Sequence, residues 1–359
     1  MKSELNFIMK QFLLDTEIDP YGDGHINHTY LTKSRQYILQ KINTSIFTHP
    51  EELMDNIYNV TEHLRKKIIA AGGDPDRETL TIIPTLDGKK FYRTENGDYY
   101  RVYKFITDSL CYSITEDPAI LYQAARAFGR FQNLLNDFPI DDLYETIPDF
   151  HNTRNRFSQL LTAIKEDRSG RLKSVEKEVN FALEQEFIVD TITDAIADGS
   201  VPVRVTHNDT KTNNVLFDKA TGNGLCVIDL DTVMPGSLLY DYGDALRFGA
   251  ATAAEDEKDL SLVWFDMAAF RYFSKGYLEE MIPVMTEKEI ELLPTSAKIL
   301  TYECGIRFLA DYLNGDTYFK TTREDQNLDR ARTQFKLYSD MNNKTDEMNS
   351  VIRKLVKNI

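Results

Sequence analysis

The first third of the chain alternates between short β-forming stretches and one stretch of helical spacing. "HINHTYLTK" and "RQYILQKI" are rich in β-formers and are separated by a polar turn near Ser34. After Pro50, apolar residues recur at helical spacing up to Gly72-Gly73, a typical helix end. Further β-rich stretches follow, and "KKFYRT" and "DYYRVYKFI" are joined through Asn96-Gly97, a strong hairpin signal. The pattern predicts a small antiparallel sheet with one helix.

From about residue 107 the apolar spacing becomes mainly helical. Asp117-Pro118 has the residue types of an N-cap and first helical turn, and apolar residues follow at helical spacing up to Leu135. "SVEKEVNFALEQEFIVDTI" predicts another helix, and helices are predicted again from about residue 256. We therefore predict an α+β, two-lobed chain: a β-rich N-terminal lobe over residues 1–106, a mainly helical C-terminal lobe over 107–359, and a hinge near 105–110.

Composition excludes several classes of protein. The chain has 359 residues, 42% of them hydrophobic, but no apolar run long enough for a membrane span. Its first residues, "MKSELNFIMKQFLLDTE", predict a short amphipathic helix and not a secretory signal. A net charge of −15 argues against binding nucleic acid. Three widely spaced cysteines favour a reducing, cytoplasmic location, and a monomer is the default expectation.

The stretch "VTHNDTKTNNVLFD" carries the strongest chemical signal. His207, Asp209 and Asn214 have the spacing of a phosphoryl-transfer loop, in which the Asp takes the proton of the acceptor hydroxyl and the Asn binds magnesium. Such a loop needs a further carboxylate for the metal ion, and "LCVIDLD" supplies Asp229 and Asp231. The constellation predicts an enzyme that transfers a phosphoryl group from a nucleotide.

A hairpin is predicted to bring these residues together. If its turn is centred on Thr221-Gly222, Asn214 stands directly opposite Asp229, at about 5 Å. Asp229 and Asp231, two residues apart on one strand, would point to the same face. Asn214, Asp229 and Asp231 are therefore the predicted magnesium ligands.

A loop for the nucleotide is predicted near the N-terminus. In "YGDGHINHTY", Gly22 and Gly24 form a turn before the first predicted strand, where backbone N–H groups can approach phosphates. The stretch "RVYKFI", which includes Tyr103, is predicted to form the interlobe connection beside the nucleotide.

These motifs resemble those of the aminoglycoside phosphotransferase superfamily, which shares its architecture with protein kinases. Longer segments, among them "EIDPYGDGHINHTYL", "VIDLDTVMPGSLLYDYGDALRFGA" and "ECGIRFLADYLNGDTYF", resemble the N-acetylhexosamine 1-kinases of bifidobacterial type. The resemblance runs over nearly the whole chain. It implies a two-lobed kinase-like fold and an enzyme that uses ATP and Mg²⁺ to phosphorylate the anomeric hydroxyl of N-acetylglucosamine or N-acetylgalactosamine.

The resemblance also assigns roles to single residues. It makes Asp209 the catalytic base, in contact with the reacting hydroxyl, and Asn214 and Asp229 the magnesium ligands. Two further residues, His207 and Asp241, would support the catalytic loop structurally. Sugar binding would involve three more residues in addition to Asp209: Asp244, Arg307 and Tyr318.

Several alternatives stay open. By spacing alone, Glu303, Arg307 and Asp311 form an i, i+4 ladder that is typical of surface ion pairs, and Tyr318 is equally compatible with packing. The superfamily usually has a basic residue on the third strand, where this chain has Gln40, with Lys41 predicted to face the other side.

The acceptor is also open. It could instead be an aminoglycoside, choline, homoserine or methylthioribose, and a pseudokinase sensor is a further alternative. The sequence does not decide between the gluco and galacto epimers.

Overall fold

The computed structural model describes residues 2–14, 17–22, 26–112 and 117–359. The helices are α1 Lys2–Lys10, α2 Pro50–Ala70, α3 Pro75–Glu78, α4 Pro118–Leu134, α5 Thr153–Glu166, α6 Glu176–Glu184, α7 Thr191–Ala197, α8 Leu238–Gly249, α9 Met267–Met281, α10 Glu287–Asn314, α11 Gln326–Asn343 and α12 Thr345–Asn358. The strands are β1 Ile18–Pro20, β2 His28–Thr32, β3 Tyr37–Ile42, β4 Ile82–Ile83, β5 Tyr92–Arg93, β6 Tyr99–Lys104, β7 Ser109–Leu110, β8 Arg204–Thr206, β9 Val215–Asp218, β10 Gly224–Val227 and β11 Met234–Gly236.

The N-terminal sheet has the order β1-β2-β3-β6-β4, with β5 also paired to β6, and every pairing is antiparallel. Helix α1 packs on one face, where Leu39 and Val102 are buried with its apolar side chains. Helix α2 packs on the other face, against Ile42 and Tyr103. Because side chains alternate along a strand, residues 40, 101 and 103 share the face that α2 covers.

The local predictions for this half are confirmed. Helix α2 begins at Pro50 and buries its predicted apolar side chains, Leu53, Ile57, Val60 and Leu64. The β5–β6 hairpin turns at Gly97, whose φ of 86° lies in the left-handed region that glycine adopts without strain. Asp117 caps α4, since its side chain accepts from the backbone N–H of Ala119.

The position of the predicted glycine loop is corrected. Ile18–Pro20 pairs with β2, so the loop lies between the first two strands and does not precede the first one. Proline and aspartate in "IDP" concealed this strand from propensity arguments, and its pairing with Tyr30–Thr32 reveals it. Gly22 has a φ of 76°, whereas Gly24 lies outside the described residues.

The helix predicted through "SVEKEVNFALEQEFIVDTI" is interrupted. It consists of α6, a 3₁₀ turn over Glu186–Ile188, and α7. A continuous helix would place Glu186 and Thr193 on the buried stripe that contains Val179 and Ala182. The 3₁₀ turn changes the register, so Ile188 and Ile192 are buried instead.

Two small sheets carry the predicted catalytic residues. One has the order β10-β9-β7, and the other pairs β11 with β8, in both cases antiparallel. The largest core cluster lies in the helical part and includes residues of α4, α8, α9 and α10. The predicted α+β class, with an antiparallel N-terminal sheet and a helical C-terminal part, is confirmed, while the lobe boundary at residue 106 remains a prediction. Within the described ranges, every helix is too short or too polar to cross a membrane.

Candidate active site

Asp241, in the first turn of α8, holds the loop that follows β8. One carboxylate oxygen accepts from the backbone N–H of His207 at 2.8 Å and the other from that of Asn208 at 2.7 Å. Gln132 of α4 donates a third hydrogen bond at 2.6 Å. Burial raises the pKa of Asp241, although the nearby His207 and these backbone N–H groups oppose that shift. Its position near the positive end of α8 suits a carboxylate that holds a loop.

His207 lies in a rigid setting. Its Nδ1 accepts from the backbone N–H of Asp209 at 3.2 Å, so Nε2 carries the proton and donates to the carbonyl of Ile228 at 2.9 Å. Phe128 and Phe131 of α4 pack edge-on against the ring. Both nitrogens are therefore used for structure, in keeping with the supporting role predicted for His207.

Asp209 and Asn214 lie together at the end of this loop. The Asn214 amide donates to the Asp209 backbone carbonyl at 2.8 Å and to its carboxylate at 3.1 Å. The other carboxylate oxygen of Asp209 is 2.6 Å from Nζ of Lys211. Lys211 was not among the predicted site residues, although it lies inside the motif itself, two residues after the candidate base.

The predicted register of the β9–β10 hairpin was wrong by one residue. Asp218 caps the turn early, since its carboxylate accepts from Ala220 and Thr221 and its N–H pairs with Asn223. A bulge between Gly224 and Cys226 then shifts the pairing. As a result, the carbonyl of Asn214 accepts from the backbone N–H of Ile228 at 2.9 Å, and Asp229 follows one residue later.

The prediction that Asp229 and Asp231 share one face of a strand was also wrong. Strand β10 ends at Val227, Asp229 is left-handed with a φ of 60°, and Leu230–Thr232 forms a 3₁₀ turn. The left-handed residue turns the chain, so the two carboxylates have different surroundings. Asp229 is open to solvent, whereas Asp231 is only 4% exposed.

Both oxygens of Asp231 have partners. One is 2.5 Å from Nη1 of Arg101 on β6, and the other accepts from the Asn27 amide at 2.6 Å. This carboxylate thus joins the catalytic segment to the N-terminal sheet. Its role as a third magnesium ligand stays a prediction.

The surroundings of Asn214 and Asp229 fit a divalent cation. Although part of the Asp229 side chain reaches solvent, the protein atoms around its carboxylate displace water, and this desolvation, followed by the nearby carboxylates of Asp231 and Asp209, raises its pKa to about 6. Neither the Asp229 carboxylate nor the Asn214 carbonyl oxygen accepts a side-chain hydrogen bond from the described part of the chain. No group of three or more His, Cys, Asp or Glu side chains is placed to hold a metal within the described ranges. Magnesium usually needs only one or two protein oxygens besides phosphates and water.

The nucleotide side of the site differs from the prediction. "RVYKFI" is mostly strand β6, and the interlobe connection begins only at Phe105. Tyr103 is buried on the α2 face, with the Arg101 guanidinium 5.2 Å from its ring centre. Lys41 points to the other face of the sheet, as predicted, and pairs with Asp98 at 2.8 Å.

Asp244 is buried on α8, about one turn after Asp241. Burial alone would raise its pKa, but Arg247, His151 and Lys211 together hold it below its usual value. Its carboxylate accepts from Nε of Arg247 at 2.9 Å. Since Lys211 acts on both carboxylates, the structure brings Asp209 and Asp244 into one polar neighbourhood.

The alternative of a surface ion-pair ladder on α10 is not supported. Arg307 makes no ion pair with Glu303 or Asp311 in this structure. Glu303 is buried and binds His151 and Thr153 at 2.9 and 2.6 Å. These partners come from outside the helix and occupy the Glu303 carboxylate, so i, i+4 spacing on α10 does not decide its pairing.

Asp311 holds the loop that carries Tyr318. Its carboxylate accepts from the backbone N–H groups of Thr317, Tyr318 and Phe319 at 3.0, 2.8 and 2.9 Å. This places the Arg307 guanidinium 6.0 Å from the centre of the Tyr318 ring, which is 72% exposed. The packing alternative for Tyr318 is therefore not supported, since most of its side chain faces solvent.

His151 joins helix α10 to the catalytic loop. Its Nδ1 is 2.9 Å from Glu303 on α10, and its Nε2 is 3.3 Å from the carbonyl of Asn208 in the catalytic loop. No motif singled out His151, because its partners are distant in sequence. Only the fold brings these groups together.

The comparisons with known proteins agree with this geometry. The phosphotransferase enzyme family matches residues 17–273, well over half of the chain. Among solved structures, a GDP complex of aminoglycoside 2'-phosphotransferase-IIIa is 12% identical, with coverage of 96% of this chain and 99% of the other and a TM-score of 0.57.

Two further structures have other named acceptors. An amicoumacin kinase in complex with AMP-PNP and Ca²⁺ is 14% identical over 92% of this chain and 89% of the other, with a TM-score of 0.57. An ethanolamine kinase of Plasmodium vivax is 13% identical over 92% and 87%, also with a TM-score of 0.57. These likenesses confirm the predicted two-lobed, kinase-like fold of the aminoglycoside phosphotransferase type. The chain belongs to the phosphotransferase enzyme family.

Proposed function

We propose that this phosphotransferase uses ATP and Mg²⁺ to phosphorylate the anomeric C1 hydroxyl of an N-acetylhexosamine, giving the sugar 1-phosphate and ADP. The catalytic residues Asp209, Asn214 and Asp229 support the phosphoryl transfer, because they lie together at the junction of the small sheets. The resemblance of the long segments to N-acetylhexosamine 1-kinases supports the choice of acceptor.

The observation that carries the acceptor class is the local balance of charge. Asp209 lies 2.6 Å from Lys211, and Asp244 lies 2.9 Å from Arg247. Each of these two carboxylates is thus paired with a cation. A polycationic aminoglycoside or a quaternary amine needs unpaired negative charge, whereas a neutral sugar needs hydrogen-bonding groups of both kinds. The paired site therefore favours a neutral polyhydroxyl acceptor.

In the proposed reaction the anomeric oxygen attacks the γ-phosphorus in line. A P–O bond to the sugar forms, the bond to the β-phosphate oxygen breaks, ADP leaves, and the hydroxyl proton passes to Asp209. Asn214 and Asp229 would hold magnesium, which neutralises phosphate charge when bound. Lys211 holds Asp209 in place and adds a positive charge near the transferred group.

Arg307 and Tyr318 would bind the sugar away from the reacting hydroxyl. Arg307 has no ion-pair partner within the described residues, so its donors are free for sugar hydroxyl or acetamido oxygens. The exposed Tyr318 ring offers an apolar face and a hydroxyl next to it. Asp311 holds the loop that carries Tyr318 and so keeps the tyrosine ring beside Arg307.

Phosphorus NMR of the reaction with ATP and N-acetylglucosamine tests the proposal. We expect a sugar 1-phosphate signal split into a doublet by the anomeric proton, together with ADP. The same assay is run with N-acetylgalactosamine, an aminoglycoside, choline, homoserine and methylthioribose. ADP formation with one of the last four and not with the sugars would overturn the acceptor assignment, and no ADP with any of them would favour a non-catalytic sensor.

A further inference from the structure

Arg101 is a fully buried cation on the face of the N-terminal sheet that α2 covers. It is 1% exposed and is the largest of the fully buried side chains among the described residues. Its Nε donates to the side chain of Gln40 at 3.0 Å, and its Nη1 lies 2.5 Å from Asp231. Its Nη2 donates no hydrogen bond to a described residue. A buried guanidinium is costly, so its presence requires an explanation beyond packing.

The third strand itself brings no cation to this face. Gln40 is neutral, and Lys41 is on the opposite face, paired with Asp98. Gln40 and Arg101 are direct cross-strand partners in the β3–β6 pairing. Directly opposed side chains are about 5 Å apart. Arg101 therefore places a positive charge next to the position where the superfamily usually has a basic residue, but from the neighbouring strand.

The charges around Arg101 are those of the catalytic segment. Asp231 forms the ion pair, and Asp229 adds a further favourable electrostatic interaction with the guanidinium. The Arg101 guanidinium thus lies between strand β6 and the segment that contains Asp229, the carboxylate proposed to hold magnesium. A guanidinium has five N–H donors in a fixed fork. Here Nε is used by Gln40 and Nη1 by Asp231 and by Sδ of Met54 at 3.9 Å.

We propose that Arg101 has taken over the role of the missing basic residue of the third strand. It supplies the cation that faces the nucleotide phosphates, and through Asp231 it sets the position of the metal-binding segment relative to the sheet. The inference rests on nucleotide-dependent phosphoryl transfer and is independent of the identity of the acceptor.

Calorimetric titration of ADP and adenosine into the full chain without metal tests the phosphate contact. Arg101→Gln is expected to weaken ADP binding by about 10- to 100-fold, as for loss of a charge-assisted hydrogen bond, and to leave adenosine binding unchanged. Gln40→Lys added to Arg101→Gln returns a cation to the third strand and is expected to restore most of the ADP affinity. Arg93→Gln, an exposed arginine on β5, is the matched control.

A second variant removes the risk that Arg101→Gln fails to fold with Asp231 left unpaired. Arg101→Gln with Asp231→Asn removes both buried charges, so that neither is left without its partner. Weak ADP binding with normal adenosine binding in this variant supports the proposal. Normal ADP binding, an equal loss for ADP and adenosine, or no rescue by Gln40→Lys would each overturn it. Because no acceptor is added, these results do not depend on whether the sugar assignment holds.

Discussion

The catalytic segment, residues 205–241, and the acceptor segment, residues 303–319, use their carboxylates differently. In the catalytic segment Asp241 holds backbone N–H groups, Asp231 holds a guanidinium and Asp209 is paired with Lys211, while Asp229 remains exposed. In the acceptor segment all three carboxylates are occupied, Glu303 by His151 and Thr153, Asp311 by the backbone of the next loop, and Asp316 by Arg171. The groups left open there are a cation and an aromatic ring.

The difference suggests separate roles: the catalytic segment carries out the phosphoryl transfer, and the acceptor segment selects the acceptor. In the catalytic segment the exposed Asp229 suits a metal ion, and Asp209, held by Lys211, suits the transferred proton. The open groups of the acceptor segment suit a neutral, hydrogen-bonding ligand. Substitutions in the first segment should therefore change turnover for any acceptor, and substitutions in the second should change the acceptor's KM.

Asp229→Ala should have the largest effect. We expect magnesium-dependent turnover to be lost, because only the Asn214 oxygen would remain from the proposed pair of ligands. The measurement is ADP release over a magnesium titration, with Asp141→Ala on an exposed turn as the control. Normal activity in Asp229→Ala would remove this residue from the metal site.

Asp209→Asn should reduce kcat by about 10²- to 10⁴-fold, the usual contribution of a general base. The asparagine keeps the shape but no longer takes the hydroxyl proton, so binding of the sugar should stay nearly unchanged. Steady-state kinetics and sugar titration together test this, with Asp259→Asn on a surface turn as the control. Full turnover in the variant would contradict the role of Asp209.

Arg307→Gln should raise the acceptor's KM by about 10-fold, as for loss of a hydrogen bond from a charged donor. The KM for ATP should not change, because Arg307 lies on the acceptor side. The control is Arg353→Gln on α12, which is exposed. If the KM values for ATP and for the acceptor rise together, the two segments do not have separate roles.

The smallest predicted effect is on the pH dependence of the magnesium requirement. The pKa of Asp229 is raised to about 6, so below that pH its protonated form increasingly competes with metal binding. The apparent dissociation constant for magnesium should therefore rise as the pH falls through 6, and it should stay constant above about pH 7. Rate measurements at several magnesium concentrations between pH 5 and 8 test this, and a pH-independent constant would count against Asp229 as a ligand.

Local sequence signals predicted much of the fold. The apolar spacing after Pro50, the Asn96-Gly97 turn and the Asp117 cap each act within a few residues, and all three features are present. The candidate site is also named by a local signal, the motif that contains Asp209, Asn214 and Asp229, and the roles of these residues remain predictions. Such signals depend only on residues that are close together in the sequence, so the sequence alone is enough to predict them.

Only the tertiary structure decided how these residues meet. The hairpin register changed because Asp218 caps an early turn and a bulge follows it. The pairs Arg101–Asp231 and His151–Glu303 join residues far apart in sequence, the second 152 positions apart. No periodicity encodes such contacts, because they depend on how the sheet and the helices pack against each other. Residue types therefore determined which chemistry is present, and packing decided which charges are paired and which are left open for substrates.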